Sequence, residues 1–360
     1  MNRLFVTSFA LLLISCKSVS SNSNFLLIDT IPVKPTIVTD RVYHDPDDPA
    51  IWIHPVDLSK SLILGTDKHK TNGGIYVFSL EGKIDTVRTH TGMQRVNNID
   101  IAYGFLLDGR KTDLAVATER DRNRLRIFRL PDMQPVDAGG LEVFQGDSLR
   151  LPMGIALYTR LRDGALFAIV GRKDGPRNGY LEQYQLQNNG QGTITGTLIR
   201  RFGRYSGKKE IESIAVDNET GYVYYSDEQA GIRKYHADPD KGDEELAFFG
   251  QQDFLEDNEG ISFYKFSDGT GYILVSDQSR NTFNVYRREG RPGDPHAHAR
   301  IAVIPVSTQQ SDGSELTNIS LPGFKGGLFV AMSDDQTFQY YRWSDLARKA
   351  GLRVNKRERR

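Results

Sequence analysis

One unit, repeated six times, limits what this chain can fold into. Its first copy runs Asp47-Asp48-Pro49-Ala50-Ile51-Trp52-Ile53, then Leu62-Ile63-Leu64-Gly65-Thr66-Asp67-Lys68, then Gly74-Ile75-Tyr76-Val77-Phe78. Aligning on Ile51, Ile99, Ile155, Ile214, Ile261 and Ile319 gives spacings of 48, 56, 59, 47 and 58 residues. A period of this length built from short Val-, Ile-, Tyr- and Phe-rich runs, with Gly and Asp at the turns and no long helical stripe, means stacked β units. One such unit cannot cover both of its apolar faces, so neighbours must stack, and six closing into a ring leave only short edges. The expectation is an all-β, six-bladed β-propeller of mostly four-stranded antiparallel blades. It would occupy 34–350, with Thr36 to Thr39 supplying a strand that completes the last blade.

The flanks read differently. Asn2-Arg3, the apolar run Leu4 to Ile14 and Leu13-Ile14-Ser15-Cys16 resemble a bacterial lipoprotein signal over 1–15, too short to span a bilayer stably. Cys16 is the single cysteine, so an internal disulfide is excluded, and it stands where a lipid would be attached. The segment 16–33 then serves as lipidated cysteine and tether, and the expectation is an exported, membrane-anchored bacterial lipoprotein facing the periplasm or the outside. With 46 basic and 46 acidic residues the formal charge is zero, which excludes a whole-surface polyanion binder. The basic tail over 351–360, preceded by a frayed end from Ala347, carries no nucleic-acid signature. A monomer is expected.

Within the units, Glu81-Gly82-Lys83 is a turn and Ile84 to Thr89 the expected outer strand of the first copy. Two sets of residues should meet at one mouth of the central channel. The first opens the innermost strands: Asp48, Asn97, Met153, Glu212, Glu259 and Thr317. The second follows the second strands: Asp67-Lys68, Glu119-Arg120, Arg172-Lys173, Asp227-Glu228, Asp277 and Asp334-Asp335. Asp277, Asp334 and Asp335 are also what propeller turns use for backbone reasons. Acids concentrate at Glu212, Asp227, Glu228, Asp257 and Glu259, and cations at Lys68, His69, Lys70, Arg120, Arg122, Arg172, Lys173 and Arg177. Clustered carboxylates suit a hard cation, Ca²⁺ above all, and the facing cations suit a small phosphorylated substrate. His54 reads as a packing residue near Trp52, and His296 with His298 as a metal pair only superficially.

The motifs Asp47 to Pro55, Tyr76-Val77-Phe78-Ser79-Leu80-Glu81-Gly82-Lys83, Asn97-Asn98-Ile99-Asp100 and Asp257-Asn258-Glu259-Gly260-Ile261 resemble those of the β-propeller (alkaline) phytases over roughly Val38 to Ala347. The resemblance implies hydrolysis of the phosphate monoesters of myo-inositol hexakisphosphate by metal-activated water, without a covalent intermediate and with several calcium ions. It implies metal ligands at Asp47, Asp48, Asp100, Glu212, Asp227, Glu228, Asp257 and Glu259. Catalytic roles would fall to Glu212, Asp257, Glu259, Lys68 and Arg172, and substrate phosphates to Lys68, His69, Arg120, Arg122, Arg172 and Lys173. Three departures from the family pattern stand out. Thr317-Asn318-Ile319 replaces an Asp-Gly of the last blade, and Met153 replaces a tyrosine whose nearby arginine only Arg150 could supply. The glutamate usually upstream of Asp47 is absent, with Asp40 or Asp45 as substitutes. A calcium-dependent phosphodiesterase or lactonase, or a non-catalytic calcium- and phosphoester-binding propeller, are the alternatives the residues leave open.

Overall fold

The computed structural model describes residues 30–355. The signal sequence, Cys16, most of the tether and the last five residues of the basic tail lie outside the described residues. Six antiparallel sheets follow one another along the chain. Blade 1 is Pro46–Trp52, Leu62–Asp67, Gly73–Phe78 and His90–Met93. Blade 2 is Val96–Leu107, Arg110–Glu119, Arg124–Leu130 and Leu141–Glu142, with Gln134–Pro135 also on its third strand. Blade 3 is Pro152–Thr159, Leu166–Arg172, Asn178–Asn188 and Ile194–Arg204. Blade 4 is Ile214–Asp217, Tyr222–Asp227, Gly231–His236 and Ala247–Phe249. Blade 5 is Asn258–Lys265, Gly271–Asp277, Thr282–Arg287 and Arg300–Pro305. Blade 6 is Ser314–Thr317, Leu328–Ser333 and Thr337–Arg342, and its outer strand is the N-terminal Ile37–Val38.

Each innermost strand touches the innermost strands of both neighbours, and the sixth meets the first, so the ring closes. The reason lies in the strands, most of which are apolar on both faces. Six apolar clusters among the described residues fill the seams between blades, one per seam. In blade 6, Phe329 and Ala331 enter the seam with blade 5, while Leu328, Val330 and Met332 enter the seam with blade 1. Alternation along one strand therefore serves two cores. The fold matches the sequence expectation.

Two local expectations are corrected. The outer strand of blade 1 is His90–Met93; Ile84 to Thr89 instead turns around Asp85, whose carboxylate accepts from the Val87 and Arg88 amides. The segment read as frayed from Ala347 is ordered by helix Trp343–Ala350, which buries Trp343, Leu346 and Ala347 in the seam of blades 5 and 6. The chain beyond it stays pinned, with Trp343 Nε1 donating to Arg353 O and the Asn355 amide to Tyr264 Oη. No helix among the described residues is long and apolar enough to cross a membrane.

Candidate metal and phosphate site

A repeated irregularity builds the site. In blades 1, 2, 3 and 5 the ladder between the first two strands slips near its start, between Pro46 and Pro49, Val96 and Ile99, Pro152 and Ile155, and Asn258 and Ile261. Such a bulge takes side chains out of the ladder and re-aims them. The residues so released include Asp47, Asn97, Met153 and Glu259, and Glu212 precedes the fourth innermost strand.

In blade 6 the ring position belongs to Asp312, not Thr317. The Met332 amide bonds Gly313 O, as the Ser226 amide bonds Ser213 O in blade 4, so Gly313 matches Ser213 and Asp312 matches Glu212. Thr317 ends its strand opposite Leu328, at the far end from this ring. The Asp-Gly missing from the sequence alignment is therefore present as Asp312-Gly313, five residues earlier. In blade 1 the register likewise aligns Pro49, not Ile51, with Ile99, which puts Asp47 on the ring and Asp48 one step further along.

The ring is tied together across the mouth. Asp47, only 1% exposed, accepts from Lys68 Nζ at 3.0 Å and from Asn97 Nδ2 at 2.7 Å. Asn97 Nδ2 also donates to Glu212 Oε1 at 2.9 Å, and Lys68 pairs with Asp312 as well. Gln278 Nε2 donates to the other oxygen of Asp312. Two groups of carboxylates have ligand atoms all within 4.8 Å of one another: Glu210, Glu212 and Glu228, and Glu228, Asp257 and Glu259. Glu228 belongs to both. Lys173 Nζ pairs with Glu210, and Lys209 Nζ lies 3.0 Å from Glu228 and 2.7 Å from Asp257.

These carboxylates are under-satisfied. Neither oxygen of Glu228 nor Oε2 of Glu259 receives a hydrogen bond, though both residues are buried. Burial, then the charges of Glu212 and Glu210, pushes the Glu228 carboxyl up to about 9. Burial and the charges of Glu228 and Glu212 raise Glu259 well above the carboxylate range, and burial with the Glu212 and Asp312 charges raises Asp47. Orphaned buried oxygens in two overlapping triads fit hard divalent cations, which such oxygens ligate once ionised.

The remaining sequence candidates separate by one residue. The acids that close the second strands serve the backbone. Asp67 accepts from the His44, Asp45 and His69 amides, Glu119 from the Gln94 amide and Arg124, and Asp227 from Ser206 and Arg233. The following residue faces the chemistry in blades 1, 3, 4 and 5, at Lys68, Lys173, Glu228 and Gln278. Asp227 is thus outside both triads. Arg172 is turned away, paired with Asp147 and stacked 4.6 Å over Phe144. Arg120 is buried with no hydrogen-bond partner for Nε, whereas Arg122 is exposed in a cleft of about 240 Å³ with His90, Arg124 and Arg126. His69 stacks on His44 at 3.9 Å. His54 accepts from the Val56 and Asp57 amides beside Trp52, and His298 meets Lys234 Nζ at 3.2 Å. Arg150 holds Val143 O and Asn123 O.

Asp48 and Asp100 form another level. Asp48 accepts from the Ile99 amide and Asp100 from the Leu157 and Ile101 amides, and both interact with Glu315. Burial raises Asp100 to about 6 and Glu315 to about 8. Asp312, Glu210, Lys209 and Glu315 were missed from the sequence. For Asp312 the signal was Ser311-Asp312-Gly313 before a strand, and for Glu210 its place two residues before Glu212.

Comparison with known proteins gives the family. The chain is 28% identical over 339 residues to a 3-phytase of Bacillus subtilis (strain 168), covering 85% of this chain and 81% of that protein. A sequence model of the Phytase family matches residues 2–341, nearly the whole chain. The match to that model over nearly the whole chain makes this six-bladed ring a member of the phytase family.

Proposed function

We propose that this phosphomonoester hydrolase of the phytase family is calcium-dependent and acts on myo-inositol hexakisphosphate. The observation that supports it is the pair of triads sharing Glu228, with buried oxygens lacking donors, beside Lys68 and Lys173 on the same mouth. Glu210, Glu212, Glu228, Asp257 and Glu259 would hold the metal. Calcium, when bound, neutralises phosphate charge and lowers the pKa of water. Lys68 and Lys173 would orient the outer phosphate oxygens, since lysine acts as a point charge. Asn97 would hold Asp47 and Glu212 in fixed relation.

Phosphate release by the full chain from calcium inositol hexakisphosphate, with and without EDTA across pH 5 to 9, tests the reading. Release that EDTA abolishes is expected. Release indifferent to EDTA would refute calcium dependence, and no release from folded, calcium-loaded protein would refute the substrate. We also propose that Cys16 carries a lipid and holds an exported monomer at a bacterial membrane. Incorporation of labelled fatty acid that survives Cys16→Ala would overturn this.

A further inference from the structure

Lys209 stands apart from the other lysines of the mouth. Lys68 and Lys173 extend from the ends of second strands, with their amides fixed to Asp45 O and Leu151 O. Lys209 instead comes from the connection between the outer strand of blade 3 and the inner strand of blade 4, and its side chain is 37% exposed. Its ammonium reaches in from the solvent side, 3.0 Å from Glu228 Oε2 and 2.7 Å from Asp257 Oδ2. Both are members of the second triad. Among the described residues no other ammonium or guanidinium is within ion-pair distance of Glu228, Asp257 or Glu259. One positive charge faces three carboxylates, and the contact with Glu228 is poorly aligned, since neither Glu228 oxygen gains a hydrogen bond.

We propose that Lys209 is an exchangeable resident cation of the Glu228–Asp257–Glu259 triad, which a divalent cation must displace in order to bind there. This rests on the metal reading of the site given above. An ammonium and a divalent ion sharing the same two oxygens would repel each other at close range. Three oxygen ligands with a partial vacancy in donors satisfy a divalent ion better than a single ammonium does. The partly exposed stem gives the lysine a route out, because a long flexible side chain can keep its charge in water. Lys209 therefore raises the cation concentration at which this triad fills, while it stabilises the metal-free ring.

Calorimetric titration of the full chain in detergent with calcium chloride tests this, comparing Lys209→Met, Lys209→Arg and Lys208→Met. Lys208 donates to Gln229 O and touches none of the triad, so it controls for local charge. Lys209→Met is expected to tighten one calcium site by about tenfold or more, the scale on which groups touching metal ligands shift affinity. Lys209→Arg and Lys208→Met should bind as the wild type does. Thermal melting in EDTA supplies a second readout: Lys209→Met should melt lower without calcium and recover with it. Unchanged or weaker calcium binding in folded Lys209→Met would overturn the proposal while leaving the metal reading intact. Failure of the wild type and all variants to take up calcium would overturn the metal reading, and the exchange role with it.

Discussion

Glu228 carries more of the site than any other side chain, because it is the one member common to both triads and is fully buried. Replacing it by Gln keeps the shape and removes the charge. Calcium affinity is expected to fall by more than the roughly 10–100-fold typical of outer partners of metal ligands. The calcium-free fold should keep its stability, since the loss of the 3.0 Å ion pair with Lys209 is offset by removing a buried carboxylate whose oxygens receive no hydrogen bond. Calcium titration and melting in EDTA read the two effects separately. The pH dependence follows in sign from the same carboxyl. Its folded value, about 9, lies above the ordinary glutamate value of 4.5, so the calcium-free folded state holds the extra proton between them. Stability in EDTA should therefore decline as pH rises from about 4.5 toward 9. Calcium uptake over that interval should release protons and strengthen with pH, measurable by titration in buffers of different ionisation heat. Sequence reading reached Glu228 but coupled it with Asp227, whose carboxylate holds Ser206 and Arg233. Adjacent acids at a strand end look alike as letters; alternation across the sheet sends one to the mouth and the other to the backbone.

At the scale of the element, hydroxyls near the ends of second strands pin the neighbouring blade. Thr118 Oγ1 donates to Met153 O at 2.6 Å, Ser226 Oγ to Glu259 O at 2.8 Å and Ser276 Oγ to Ser311 O at 2.8 Å, and Thr66 bonds Asn97 O. Each acceptor is a ring residue or its immediate neighbour, so the bond fixes the backbone from which a site side chain projects. Ser226→Ala should cost about 1 kcal/mol in chemical denaturation, the net worth of one such bond. It should also weaken calcium binding, because Glu259 loses its anchor; unchanged affinity would mean that the bulge alone positions Glu259. The Thr-Asp, Thr-Glu and Ser-Asp pairs that carry these bonds were visible in the repeat, yet only the acids drew notice. Blade 6 was misaligned for a related reason. Its innermost strand, Ser314-Glu315-Leu316-Thr317, begins with serine where blades 2 to 5 have isoleucine. An apolar marker therefore led to Ile319, which lies beyond the strand.

At the scale of the whole molecule, the six-fold pattern was legible because every seam needs two apolar faces, and that demand is written into nearly every strand. Closure was legible too, since an N-terminal strand pairs with the last blade, Ile37 with Tyr340 and Val38 with Gln339. What could not be read was how tightly the first and last blades meet at the mouth. The Gly313 amide bonds Asp47 O at 3.0 Å, and a Cβ on Gly313 would lie 2.2 Å from Asp48 Oδ1 and 2.5 Å from Asp48 Cα. Only glycine allows that approach, and Lys68 bridges Asp47 and Asp312 directly beside it. Gly313→Ala must push blade 6 from blade 1, at a cost of about 1–3 kcal/mol for overpacking. The same displacement separates Asp312 from Lys68 and disturbs the chain of contacts running through Asp47 and Asn97 to Glu212. The variant is therefore expected to melt lower and to bind calcium more weakly at the Glu212 triad, while the Glu228–Asp257–Glu259 triad on blades 4 and 5 keeps its affinity. Titration that resolves the two sites decides the matter: equal weakening of both would mean that the ring transmits strain around its circumference, and weakening of neither that the mouth does not depend on the closing seam.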